Sequence, residues 1–189
     1  MRLASFLALM VLLVAGCSGP SQNRTAAGPS DGGAFSTGDE GGLTVEKADL
    51  NGDGRTDVLS YYREVTGADG KKIKILVRKT VDINGDNKAD VNQFFDDQGE
   101  LLKQELDLDY DKRVDKIVYY KKGKIEREEL SSLYDGRFDV KKFYDDGVLV
   151  LKQVDTRHNG HFDEFQYFVG NTLARVGWDR DGDGKPEQF

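Results

Sequence analysis

The chain has 189 residues, with 34 acidic against 27 basic side chains and a formal charge of −7. That balance lacks the basic footprint of a nucleic-acid binder, so no nucleic-acid partner is expected. One cysteine and two histidines exclude a disulfide framework and a Cys/His zinc cluster, and leave little for histidine-based catalysis.

Met1-Arg2 is a short positive start, and Leu3 to Ala15 is apolar except for Ser5. That run is too short to span roughly 30 Å of hydrocarbon, so residues 1–16 read as a secretory signal peptide. The sequence Val14-Ala15-Gly16-Cys17 resembles the lipobox of bacterial lipoproteins. The resemblance implies that Cys17 becomes the mature N-terminus and carries acyl chains, which together anchor a protein stably in a membrane. Ser18 stands where lipoproteins retained in the inner membrane often carry Asp, so the resemblance implies an outer-membrane address. Residues 17–42 then hold seven glycines, Pro20 and Pro29 with no apolar period, and read as a flexible tether.

Residues 43–189 form a repeat domain. Asp49-Leu50-Asn51-Gly52-Asp53-Gly54-Arg55-Thr56-Asp57 returns from Asp82 to Asp90, from Asp107 to Asp115 and from Asp179 to Glu187. Worn copies run from Ser131 to Asp139 and from Asp155 to Asp163. After the first interval the starts lie 24 or 25 residues apart. An aromatic pair follows each of the first five loops: Tyr61-Tyr62, Phe94-Phe95, Tyr119-Tyr120, Phe143-Tyr144 and Tyr167-Phe168. Each unit therefore predicts a loop followed by a β-hairpin, with glycine turns at Gly99, Gly123, Gly147 and Gly170. The fold expected is all-β, an extended or curved antiparallel array of repeated units that mainly contact their neighbours. Adjacent aromatics in a strand point to opposite faces, so the array is expected to roll, curve or pack on itself rather than lie flat.

Oxygens at loop positions 1, 3 and 5, with an acid at 9, suit a hard cation such as calcium, which takes six to eight oxygen ligands. The ligands expected are Asp49, Asn51, Asp53 and Asp57 in loop 1; Asp82, Asn84, Asp86 and Asp90 in loop 2; Asp107, Asp109, Asp111 and Asp115 in loop 3; and Asp179, Asp181, Asp183 and Glu187 in loop 6. Loop 4 has Ser131 and Leu133 at positions 1 and 3, and loop 5 has Arg157 and Asn159 at positions 3 and 5, so neither is expected to bind metal. The competing reading is a plain Asx-turn, which needs no acid at position 9, yet all six loops keep one. Strands rather than helices flank the loops, and position 12 is Ser60, Gln93 or Val118, so the EF-hand is rejected. Position 7 is basic or His throughout, and its side chain is left to face solvent or pair with a neighbouring loop's acid.

The loops resemble the D-x-[DN]-x-D-G-x-x-D calcium loops of integrin-α FG-GAP and VCBS-type repeats. That resemblance implies calcium at the loops and propeller blades around them. The 24-residue period is too short for a four-stranded blade, and the Phe-Gly and Gly-Ala-Pro signatures are absent, so only the loop chemistry carries over.

Together these features lead us to expect a lipid-anchored envelope protein whose calcium-stabilised array binds an envelope protein or glycan. A scaffold subunit of a motility or secretion complex is an alternative within the same class. An envelope hydrolase would use His158 and His161 with Asp155 or Asp163, but no nucleophile or metallohydrolase motif accompanies them, and no catalytic residue is assigned.

Overall fold

The computed structural model describes residues 36–40 and 42–187. The signal peptide, the lipobox and Cys17 lie outside the described residues. Twelve strands follow one another: β1 (Ser36–Glu40), β2 (Leu43–Ala48), β3 (Val58–Thr66), β4 (Lys72–Val81), β5 (Val91–Phe95) and β6 (Leu101–Leu106), then β7 (Lys116–Lys121), β8 (Lys124–Leu130), β9 (Val140–Asp145), β10 (Val148–Val154), β11 (Glu164–Val169) and β12 (Thr172–Trp178). They form one antiparallel sheet in strict sequence order, all-β as the repeat predicts. The sheet starts earlier than expected. Ser36–Glu40, which composition assigns to the tether, pairs with β2 in register from Ser36↔Lys47 to Glu40↔Leu43. The free edge of β2 supplies the ladder that the local Ser/Thr/Gly sequence does not specify.

Each strand of a meander carries the chain across the sheet, so successive connections alternate between its two long edges. The nine-residue loops therefore all fall on one edge, about 10 Å apart, and the hairpin turns on the other. Three of those turns are two residues long with both in the left-handed region: Lys122-Gly123, Asp146-Gly147 and Gly170-Asn171. That is the type I′ geometry whose twist matches the strands.

Contacts between elements run only between consecutive strands. The described sheet is thus a single layer, and of the alternatives to a flat sheet, packing of the array on itself does not occur among these residues. Cross-strand pairing shows how one layer manages rings on both faces. A row runs Val45, Tyr61, Arg78, Phe94, Lys103, Tyr119, Arg127, Phe143, Leu151, Tyr167, Arg175, each residue paired with the next. Cations stand over the rings: Lys103 is 4.4 Å from the Phe94 centroid, and Arg175 is 4.8 Å from that of Tyr167. Their aliphatic stems cover apolar surface while the charged heads stay in water, so no second layer is required to shield that face. After the first ring of each pair the register jumps by one residue, skipping Val77, Leu102, Glu126, Val150 and Ala174 in turn. A β-bulge therefore recurs in every hairpin that follows a loop.

Beneath the loops lies an apolar stripe built of Ala48, Val58, Val81, Val91, Leu106, Leu130, Val140 and Val154. Val91 is nearly inaccessible at 2%. This stripe is the floor against which the loop acids are buried.

Candidate metal centre

Each loop is built from its own side chains. In loops 1, 2, 3 and 6 the position-1 carboxylate accepts the N–H groups of positions 4 and 6: Asp49 from Gly52 at 2.7 Å and Gly54 at 2.8 Å, and Asp179 from Gly182 and Gly184 at 2.7 Å each; in loops 4 and 5 Ser131 and Asp155 accept from positions 5 and 6. In the same four loops position 3 accepts from position 5, as Asn51 does from Asp53 at 2.8 Å. Position 5 accepts from position 7, as Asp183 does from Lys185 at 2.8 Å. The position-9 acid reaches back to the N–H of position 2, from Leu50→Asp57 at 2.7 Å to Arg180→Glu187 at 2.9 Å. These are Asx-turns strung in series, and they turn the side-chain oxygens inward.

Two backbone bonds fix each of the first five loops, and loop 6 keeps the first of them. The position-9 N–H donates to the carbonyl of the residue before the loop, as Asp115 does to Leu106 at 2.8 Å. Its own carbonyl accepts the N–H of position 1 in the next loop, as Asp115 does from Ser131 at 2.7 Å. In loops 2 to 5 the carboxylate of that residue also lies deep: Asp90, Asp115, Asp139 and Asp163 are all buried.

Positions 4 and 6 are left-handed in every loop. Loops 1 and 6 place glycine at both, whereas loop 3 holds Tyr110 at φ 68 and Lys112 at φ 80. At position 4 the sequence marks this conformation with a recurring glycine, Gly52, Gly85 and Gly182.

Three loops gather acids closely enough to hold a metal ion. In loop 1 these are Asp49, Asp53 and Asp57; in loop 3, Asp107, Asp109 and Asp115; in loop 6, Asp179, Asp181, Asp183 and Glu187. Within each group one carboxylate oxygen per residue lies within 4.8 Å of the others. Loop 2 keeps the same hydrogen bonds, with Asp82 accepting from Gly85 and Asn87, Asn84 from Asp86, and Asp86 from Lys88. Its acids are not among the gathered groups, and Lys112 approaches Asp86 at 3.6 Å. Asp111, expected as a ligand in loop 3, instead binds Arg113 through Nε at 2.7 Å and through Nη2.

In loops 4 and 5 the position-9 acid is satisfied by side chains of its own loop and, for loop 4, of the next. The Asp139 carboxylate takes the Ser132 N–H and hydroxyl, and His158 Nδ1 lies 3.2 Å from its Oδ2. Asp163 takes the Thr156 N–H and hydroxyl and pairs with Arg157 Nε at 3.0 Å. His158 thus turns to Asp139 rather than to Asp155 or Asp163. The position-7 bases also depart from expectation. Arg55 donates to the Gly85 carbonyl of loop 2 at 2.8 Å, and Arg113 to the Asp135 carbonyl of loop 4 at 3.3 Å. Arg113 and Arg137 take the position-5 acid of their own loop.

Electrostatics follow these contacts. The Gly54 N–H, with further backbone N–H groups, holds the Asp49 carboxyl below its ordinary range. The Arg113 guanidinium does the same for Asp111. Desolvation pushes Asp90 and Asp109 up, and neighbouring carboxylates add to it. Crowded acids of this kind gain from a counter-charge.

No family model and no curated protein matches the chain. Among solved structures, it is similar to a chain in the crystal structure of accessory secretory protein 1, 2 and 3 in Streptococcus pneumoniae. The similarity covers 66% of this chain and 19% of that one, at 12% identity and a TM-score of 0.30.

Proposed function

We propose that this protein is a non-enzymatic, lipid-anchored component of a bacterial envelope, held through Cys17 in the outer membrane. Its β-repeat array is stiffened by calcium and offers a surface to an envelope protein or glycan. The observation that carries the reading is the row of loops on one sheet edge, three of which converge acids within 4.8 Å. The donors are carboxylates and amides alone, the hard oxygen set that calcium prefers over softer metals. Asp49, Asn51, Asp53 and Asp57 would hold one ion, Asp179, Asp181, Asp183 and Glu187 another. The Asp107 and Asp82 loops offer further sites. Bound calcium supplies the positive charge that loop 5 draws from Arg157.

A single layer whose elements touch only their neighbours gains little core from folding, so loop closure by metal supports the whole array. Membrane fractionation of wild type and Cys17→Ser tests the anchor, the variant being expected in the soluble fraction. Cross-linking in the native cell tests the scaffold reading and is expected to trap an envelope protein on the wild-type chain. An unchanged membrane fraction for Cys17→Ser would overturn the anchor.

A further inference from the structure

The loops differ in what satisfies the second oxygen of the position-9 acid. In loops 4 and 5 a position-2 hydroxyl and a neighbouring base supply it: Ser132 and His158 for Asp139, Thr156 and Arg157 for Asp163. In loop 3 position 2 is Leu108, which offers only its N–H, at 2.7 Å from Asp115 Oδ2. Asp115 is fully buried, and its Oδ1 has no hydrogen-bond partner. The same residue belongs to the Asp107, Asp109 and Asp115 cluster. Among the described residues, Asp115 is the one gathered loop acid with a buried, unpartnered oxygen. In loop 1 Asp57 is only half-buried, and in loop 6 Glu187 is exposed, so water can serve their free oxygens.

We infer that loop 3 is the tightest calcium site of the row, held by Asp107, Asp109 and Asp115 without Asp111. This rests on the calcium reading above and reverses the order that loop composition suggests, because loop 3 lacks glycine at positions 4 and 6. A buried carboxylate oxygen with no donor is costly, and a cation seated among the three acids relieves that cost, whereas in loops 1 and 6 it displaces only water. Arg113 keeps Asp111 out of the site and ties it to loop 4 through the Asp135 and Tyr134 carbonyls. Calcium at loop 3 therefore leaves the contact between loops intact.

Calorimetric titration of calcium chloride into the chelator-treated, full-length chain in detergent tests the assignment. Asp115→Asn and Asp109→Asn are each expected to weaken the tightest step by about ten-fold or more. Asp111→Asn should leave that step unchanged, and Asp179→Asn should remove a weaker one. Asp109 is exposed, so its variant still reports on the site if Asp115→Asn does not fold. Retention of the tightest step in Asp109→Asn, or its loss in Asp111→Asn or Asp179→Asn, would overturn the inference while leaving calcium binding in place. A wild-type chain that takes up no calcium would overturn both.

Discussion

Arg127 stands 4.1 Å from the ring centroid of Tyr119, its direct cross-strand partner, with Phe143 paired on its other side. Arg127 thus lies between rings of two successive repeats and stacks on that of its own. Arg127→Ala is expected to lower stability by about 1 kcal/mol, and a double-mutant cycle with Tyr119→Leu to show coupling of about 0.5–1 kcal/mol. Urea unfolding measures both, and additive losses would assign Arg127 no role across the strands.

Backbone strain is distributed unevenly among the loops. Gly54 at φ 85 can adopt the left-handed region freely, whereas Lys112 at φ 80 adopts it against its own Cβ. Gly54→Ala should destabilise by about 1–2 kcal/mol and Lys112→Gly should stabilise by up to about 1 kcal/mol. The second value is reduced by loss of the 3.6 Å approach to Asp86. Chemical denaturation in chelator reads both free of metal.

Glu128 sits buried on β8 with Lys116 at 3.2 Å and Lys142 at 3.3 Å. Burial pushes its carboxyl up, but the two ammonium groups outweigh it and hold it below the ordinary value. Burial and the Glu128 charge push the Tyr144 phenol up to about 12, so it stays neutral around this centre. A carboxyl depressed in the folded state stabilises above its unfolded pKa, and that stability is lost as pH falls through the folded value. Glu128→Gln should therefore cost about 2 kcal/mol at pH 7 and converge with wild type in acid. Melting temperatures from pH 7 down to 2.5 show whether the curves meet.

The nine-residue loops were readable because each oxygen has a local task, accepting an N–H two to seven residues away, and local tasks leave local spacing. Hairpins were readable for the same reason, since Lys122-Gly123 and Asp146-Gly147 carry their turn geometry in two residues. What could not be read depends on partners brought together by register. Arg78 meets Tyr61 and Phe94 only after two turns and a bulge at Val77 have set the pairing, and no signal near Arg78 announces it. Two adjacent rings therefore suggested two covered faces, while the lysines and arginines that do the covering looked like ordinary surface charge. In the loops, Asp111 looked like a ligand until Arg113, two residues away, was seen to turn back onto it. Position 2 held a second unread signal, since Ser132 and Thr156 mark the loops that satisfy their own acids.

The most direct measurement is thermal unfolding of the full-length chain in detergent, with millimolar calcium and with excess chelator. Ligands that bind only the folded state raise its stability in proportion to the logarithm of their concentration, so calcium should raise the melting temperature by about 5 °C or more. Magnesium at the same concentration, with its demand for compact octahedral geometry, should do less. Superimposable melting curves in calcium and chelator would contradict the account.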